Sequence, residues 1–191
     1  MSIKIEGNWA AGLAYDVHTL SSTYLGADER GIDHWDTEYT EMGRLVNGLK
    51  YRGQTRNVPK IIDLITAKIK GLETFDLIVP IPASKKRPFQ PVEELAKELG
   101  RRKRVRVVKA LKKIGSGEEL KEIKDPQKRK EALEARLQLA DDYDFSGKKL
   151  LLLDDLYRSG STLTVATDIL YQSTNADRIC VLTMTKTRSI R

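Results

Sequence analysis

The chain has 191 residues, 40% hydrophobic and 32% charged, which excludes a fully disordered chain and fits one domain with at most a small added subdomain. It has one cysteine and two histidines, which excludes a disulfide framework and a cysteine-based zinc site and argues against most histidine-based catalytic triads. No apolar run approaches the roughly 18 residues that a membrane span needs, and no basic-then-apolar leader opens the chain. We therefore expect a cytoplasmic location and no membrane partner.

The net charge of +7 comes from one basic segment, residues 101–113. No acid interrupts this segment, and outside it 26 basic residues face 27 acidic ones. A local excess of positive charge predicts a surface that binds a polyanion. Its members are Arg101, Arg102, Lys103, Arg104, Arg106, Lys109, Lys112 and Lys113.

The N-terminal region, residues 1–36, combines short alternating apolar stretches with glycine-rich turns. This pattern predicts a small β-rich subdomain, which we call the N-terminal hood. Helical spacing of apolar residues begins at Thr37 and again at Pro59. We therefore expect residues 37–191 to form the main domain.

Strands and helices alternate in the rest of the chain. Strands are expected at 77–79, 105–108, 149–153 and 179–182, helices at 91–100, 126–139 and 163–170, and a mobile loop at 112–126. The alternation predicts an α/β fold with a doubly wound, mainly parallel sheet and helices on both faces. In such sheets ligands bind at the carboxyl ends of the strands.

Residues 150–162 carry the most informative pattern in the chain. Four leucines predict a buried strand, Asp154 and Asp155 follow them, and a turn of small residues leads into a helix. Consecutive backbone N–H groups, hydroxyls and a helix N-terminus predict a phosphate site, and the two carboxylates suit neighbouring hydroxyls or a hydrated Mg²⁺. The residues on the phosphate side are Arg158, Ser159, Gly160, Ser161 and Thr162.

This arrangement resembles the phosphoribosyl-pyrophosphate loop of type I phosphoribosyltransferases, in which an apolar strand, two acids and a Ser/Thr/Gly turn bind a ribose 5-phosphate. Two positions depart from that pattern. Tyr157 stands where a small aliphatic residue is common, and Arg158 stands where threonine or another small residue is common. Arg158 would either strengthen phosphate binding or fill the site and block it.

A second set of segments is similar to the ComF-type (competence-associated) branch of these enzymes. Its order and spacing match over most of residues 45–188, in particular at residues 49–53, 79–90, 126–127 and 136–137. The branch usually has Arg-Gly-Phe-Asn-Gln where this chain has Arg-Pro-Phe-Gln-Pro at 87–91. Many of its members also carry an N-terminal four-cysteine zinc ribbon, which this sequence lacks.

The resemblance implies transfer of a phosphoribosyl group from phosphoribosyl pyrophosphate to an unidentified, nitrogenous acceptor, with release of pyrophosphate. Asp154 and Asp155 would be the catalytic acids and would hold Mg²⁺, through water. Residues 112–126 would be a lid from which Lys112 or Lys113 reaches the donor, although both also suit ordinary solvated lysines. The pyrophosphate would contact the loop after the first core strand, at Ser84, Lys85, Lys86 and Arg87, unless that Lys-Lys-Arg run is a solvated turn.

The acceptor would bind under the N-terminal hood, where Trp9, Tyr15, Tyr24 and Trp35 are candidates to stack on a base or to form a small core. A homodimer is the habit of the family. Neither the aromatic residues of the hood nor a homodimer identifies the acceptor. No residue of the hood is an evident general base.

Two rival functions stay open at this point. A single-stranded nucleic acid would bind the cationic patch formed by Arg101, Arg102, Lys103, Arg104 and Arg106. ComF-type proteins are associated with DNA uptake, which gives this alternative some support. The other rival is a non-catalytic nucleotide sensor, for which Pro88, Tyr157 and Arg158 would be signs of drift from the enzymes.

Overall fold

The computed structural model describes residues 2–84, 88–114, 125, 132 and 136–188. The strands in this part of the chain are β1 (Ile3–Lys4), β2 (Ala11–Val17), β3 (Thr19–Ala27), β4 (Asp33–Tyr39), β5 (Leu77–Pro80), β6 (Arg106–Val107), β7 (Leu111–Lys113), β8 (Leu137–Leu139), β9 (Lys149–Tyr157) and β10 (Arg178–Lys186). The helices are α1 (Glu41–Tyr51), α2 (Asn57–Lys68), α3 (Pro91–Lys103) and α4 (Ser161–Thr174), and a 3₁₀ turn spans Leu72–Thr74.

The centre of the fold is a six-stranded sheet in the order β1-β2-β10-β9-β5-β6. Strand β1 is antiparallel to β2, and the other neighbouring strands are parallel. This arrangement confirms the predicted α/β fold with a mainly parallel sheet. The carboxyl ends of β2, β10, β9 and β5 therefore meet at one edge, which we call the carboxyl edge.

Helices cover both faces of the sheet. Leu150 and Leu152 of β9 point into a core shared with α4, whereas Leu151 and Leu153 point into a second core shared with α1, α2 and α3. Alternate side chains of a strand point to opposite faces, so an uninterrupted leucine run is what a strand buried on both faces requires. None of the described helices is long and apolar enough to cross a membrane.

The N-terminal region divides between the central sheet and a separate hairpin. Strands β1 and β2 belong to the central sheet, while β3 and β4 pair with each other as a two-stranded sheet. Trp9 is only 7% exposed and packs in the core beside α4, whereas Tyr24 and Trp35 face each other across the hairpin and are exposed. The division into domains at residues 36 and 37 stays a prediction.

The segment before β9 differs from its prediction at two described places. Residues 112 and 113 were predicted to begin a mobile loop, but they form the end of strand β7 because β8 pairs with them. Residues 137–139 were predicted to end a helix, but they form strand β8, which pairs antiparallel with β7. The prediction was wrong there because Leu137 is buried against the sheet core beside Leu111, and this tertiary contact overrides the helical propensity of the surrounding residues. The rest of the predicted helix and most of the predicted lid lie outside the described residues.

Candidate functional site

Asp154 and Asp155 lie near the carboxyl end of β9, within the strand rather than after it. The strand extends to Tyr157 because β10 continues to pair with it, with Thr183 opposite Asp154 and Thr185 opposite Leu156. Asp154 is half-buried and Asp155 is 7% exposed. By the alternation of the strand the two carboxylates leave it on opposite faces, and the backbone N–H of Asp155 donates to the Asp154 carboxylate at 2.8 Å.

Asp155 forms an ion pair with Lys50, which lies in the last turn of α1. The ammonium nitrogen of Lys50 is 2.7 Å from one carboxylate oxygen and 2.9 Å from the other. Burial works against the charge of Lys50, but the charge of Asp155 and its hydrogen bond outweigh burial and raise the pKa of Lys50 above its usual range. Lys50 is therefore charged at neutral pH.

His18 and Thr185 support this ion pair from the neighbouring strands. Nδ1 of His18 lies 2.9 Å from Oγ1 of the fully buried Thr185, and that hydroxyl donates to the backbone carbonyl of Asp155 at 3.3 Å. Burial lowers the pKa of His18, although the charge of Asp155 opposes that shift. At neutral pH His18 is therefore mostly uncharged, and its ring joins the end of β2 to β10.

Asp154 lies near a second lysine, Lys113, at the end of β7. Burial and the charge of Asp155 raise the pKa of Asp154 to about 7, and the positive charges of Lys50 and Lys113 oppose that rise. Burial also lowers the pKa of Lys113, while the charges of the two acids act to raise it. The ammonium of Lys113 donates to Oγ of Ser84 at 3.0 Å, so Lys113 connects the loop after β5 with the acid pair.

The turn between β9 and α4 has the features of an anion site. Gly160 precedes the helix with φ 79°, a conformation that favours glycine, and it has no side chain to cap the first N–H groups of α4. The hydroxyls of Ser159 and Ser161 lie 2.9 Å apart at the same turn. N–H groups without a side-chain cap, hydroxyls and the helix dipole together suit a phosphate.

Tyr157 packs over this turn and also contacts the N-terminal region. A Cβ added at Gly160 would lie 2.9 Å from Cε2 and Oη of Tyr157, so the ring closes directly over the glycine. The ring also meets Trp9 edge to face at 6.4 Å between centroids. The unusual tyrosine is thus accommodated by packing, and Arg158 beside it is exposed.

The structure brings some of the predicted site residues together and leaves others outside its description. Ser84, Asp154 and Asp155 are connected through Lys113, and the Ser159–Thr162 turn follows on the same strand-to-helix connection. Lys112 lies on β7 and is exposed. Lys85, Lys86 and Arg87 lie outside the described residues.

Lys50 and His18 are site residues that sequence reasoning missed. The segment 49–53 attracted attention as part of the ComF-type resemblance, but nothing in its sequence indicated that Lys50 would reach an acid 105 residues away. The available signal was a lysine at the end of an otherwise apolar helix face, which is also common in solvated helices.

The cationic patch is partly neutralised by acids from other segments. Arg101 and Arg102 both bind Glu98, and Arg102 also contacts Asp63. Lys103 pairs with Glu73, and Lys109, next to the patch, pairs with Glu93. Arg104 and Arg106 are exposed. The net positive charge of this surface is therefore smaller than the sequence of residues 101–113 indicates.

No family model and no curated protein sequence matches the chain. Among solved structures it is similar to a hypoxanthine phosphoribosyltransferase from Staphylococcus aureus, with 14% identity and a TM-score of 0.44 over 70% of this chain and 65% of that one. It is also similar to a purine phosphoribosyltransferase from Pyrococcus horikoshii, with 15% identity and a TM-score of 0.43 over 68% of this chain and 82% of that one. A third similar structure is an adenine phosphoribosyltransferase from Thermoanaerobacter pseudethanolicus, with 13% identity and a TM-score of 0.44 over 86% of this chain and 94% of that one.

The match spans slightly less than two thirds of the staphylococcal enzyme. Because all three TM-scores are below 0.5, the function proposed below rests on the residues at the carboxyl edge and not on these likenesses.

Proposed function

We propose that this chain binds phosphoribosyl pyrophosphate at the carboxyl edge and transfers its phosphoribosyl group to a nitrogenous acceptor, releasing pyrophosphate. The observation that carries the proposal is the position of the Asp154–Asp155 pair directly before a glycine-containing turn and an uncapped helix N-terminus. A phosphate on the turn and hydroxyls on the carboxylates would place a ribose 5-phosphate along this one connection. The ComF-type branch is the subgroup that the sequence motifs favour.

The pyrophosphate side of the donor would face the loop after β5. Ser84 lies in that loop, and its hydroxyl already accepts a hydrogen bond from Lys113. A desolvated ammonium beside a hydroxyl is suited to a linked diphosphate, because it supplies both charge and hydrogen bonds. Lys85, Lys86 and Arg87 would add three cations to the same loop, and Lys112 would add a fourth from β7.

In the proposed reaction the bond between the anomeric carbon and pyrophosphate oxygen breaks, and the oxygen keeps the electron pair. A nitrogen of the acceptor then supplies the pair for the new bond to carbon, and the proton that this nitrogen loses passes to the released pyrophosphate. Positive charge develops on the ribose ring during this exchange, and the carboxylates of Asp154 and Asp155 would stabilise it electrostatically. Lys113 would offset the negative charge that grows on the departing pyrophosphate.

The side chains around Asp154 and Asp155 decide whether Mg²⁺ can bind directly to the acid pair. Both oxygens of Asp155 lie within 2.9 Å of the Lys50 ammonium, so Asp155 is not available as a direct ligand in this arrangement. Among the residues with described positions, no group of three His, Cys, Asp or Glu side chains is placed to hold a metal ion. The described side chains therefore do not offer the predicted Mg²⁺ a set of direct ligands at the acid pair, and no step of the proposed reaction passes through it.

A single-stranded nucleic acid on the cationic patch is the second candidate partner. The exposure of Arg104 and Arg106 favours it, whereas the ion pairs of Arg101, Arg102 and Lys103 reduce the charge available for phosphate contacts. A nucleotide sensor would use the same donor site without turnover. Neither alternative uses the acid pair for a chemical step.

A product assay tests the proposed transfer. The protein is incubated with phosphoribosyl pyrophosphate and a panel of purine and pyrimidine bases, and released pyrophosphate and new nucleotides are measured. We expect release with at least one base and none with the Asp154→Asn variant. Donor binding without release for every base would favour the sensor, and release that is equal in wild type and variant would reject the assignment of the acid pair.

A further inference from the structure

Two lysines and two acids lie together in one cluster at the carboxyl edge. Lys50 is on α1 and pairs with Asp155 on one face of the sheet, while Lys113 is on β7 and acts on Asp154. The lysines come from opposite sides of the sheet because the acids leave β9 on opposite faces. The two ammonium groups therefore match the two carboxylates in number.

This balance leaves little reason for a divalent cation at the acids. Each carboxylate already has an engaged oxygen, since Lys50 contacts both oxygens of Asp155 and the N–H of Asp155 donates to Asp154. A metal ion bound there would have to displace Lys50 or add two positive charges beside two partly buried ammonium groups. Like charges a few ångströms apart in a partly buried site repel strongly.

We propose that Lys50 and Lys113 take the place of a divalent cation at the Asp154–Asp155 pair, so that the donor's ribose binds there without a metal ion. A ribose hydroxyl donates one hydrogen bond and accepts others, and an ammonium–carboxylate pair supplies a partner for each. Lys50 acts through Asp155 as a positioning residue, because its ammonium contacts both oxygens of that carboxylate and fixes their position. The inference rests on the proposed donor site.

Electron paramagnetic resonance with Mn²⁺ tests the role of the lysines without any need for the donor. Mn²⁺ has the oxygen-ligand preference of Mg²⁺ and a signal that is lost on binding. We expect wild-type protein to leave the signal of free Mn²⁺ unchanged. The Lys50→Met variant, which exposes the charge of Asp155, is expected to bind Mn²⁺, and the Lys50→Met/Asp155→Asn variant is expected not to bind it.

The control is Lys149→Met, which removes an exposed lysine at the opposite end of β9 and is expected to behave as wild type. Lys50→Gln is measured in parallel in case Lys50→Met does not fold, because the glutamine amide still donates a hydrogen bond to Asp155. Circular dichroism shows which variants are folded. Binding of Mn²⁺ to the wild type that disappears in Asp154→Asn/Asp155→Asn would overturn the inference. Folded Lys50 variants that bind no more Mn²⁺ than the wild type would also overturn it.

Calorimetry with phosphoribosyl pyrophosphate then tests the donor in EDTA and in Mg²⁺. We expect wild-type affinity to differ by no more than about threefold between the two conditions, and Lys50→Met to lose at least about tenfold in EDTA with partial recovery in Mg²⁺. Wild-type binding that requires Mg²⁺ would overturn the inference. Absence of donor binding in both conditions would reject the proposed function, while the Mn²⁺ measurement would still decide the role of the lysines.

Discussion

The Lys50 ammonium holds both oxygens of Asp155, at 2.7 and 2.9 Å, and so joins the end of α1 to the end of β9. The Lys50 side chain is 28% exposed and that of Asp155 is 9% exposed, so the pair is largely removed from water. The ion pair therefore fixes the position of the Asp155 carboxylate at the carboxyl edge.

Asp155→Asn should destabilise the protein by about 2–3 kcal/mol, because a partly buried ammonium loses its counter-ion. Urea denaturation measures the change in the free energy of unfolding. The double variant Lys50→Met/Asp155→Asn removes both charges and should be more stable than Asp155→Asn alone. If the effects of the two substitutions on the free energy of unfolding are strictly additive, the ion pair does not contribute to stability.

The stability conferred by Asp154 should decrease as pH rises. Its pKa is about 7 in the folded protein against an ordinary value of 3.8, so the folded state binds the proton more tightly. This contribution is complete below about pH 4 and is lost as pH rises through about 7. In Asp154→Asn the group does not titrate, and asparagine still accepts the N–H of Asp155.

Urea denaturation of the wild type and Asp154→Asn from about pH 5 to about pH 8 isolates the titration of Asp154, because the two proteins share all other titratable groups. The free energy of unfolding of the wild type minus that of Asp154→Asn should fall across this range. A difference that stays constant or rises with pH would show that the pKa of Asp154 is not raised.

Gly160→Ala should cost about 1–2 kcal/mol through its left-handed backbone alone, and more because its Cβ would meet Tyr157 at 2.9 Å. In a Tyr157→Ala background the contact is absent and only the backbone cost should remain. Thermal denaturation of the wild type, Gly160→Ala, Tyr157→Ala and the double variant separates the backbone cost from the cost of the contact with Tyr157. An equal cost in both backgrounds would mean that the tyrosine ring does not close over the turn.

Binding of single-stranded DNA at low salt, if it occurs, should depend on Arg104 and Arg106 more than on Arg101. The reason is that Arg101 already binds Glu98 through two hydrogen bonds, while Arg104 and Arg106 are exposed. Fluorescence anisotropy at several salt concentrations compares Arg104→Ala, Arg106→Ala and Arg101→Ala, since phosphate contacts weaken steeply with salt. A larger loss of DNA affinity for Arg101→Ala than for Arg104→Ala or Arg106→Ala would contradict this interpretation of the ion pairs.

The parts of the fold that sequence alone predicted are those with strong local patterns. The leucine run of β9 and the small-residue turn before α4 each carry their signal within a few residues, so both were predicted close to their actual positions. The pairing of Lys50 with Asp155 and of Lys113 with Ser84 depends on how distant segments meet, which local pattern does not record. Strand β8 was missed for the same reason, since its three residues are a strand only because β7 lies beside them.

The measurement that most directly tests the proposed donor site is a calorimetric titration of phosphoribosyl pyrophosphate into wild type, Asp154→Asn and the exposed-loop control Asp142→Asn. We predict that the wild type and the control bind the donor alike and that Asp154→Asn binds it at least about tenfold more weakly, as the loss of a hydrogen bond to a charged group implies. A folded wild type that does not bind the donor, or an Asp154→Asn variant that binds it equally well, would contradict the account.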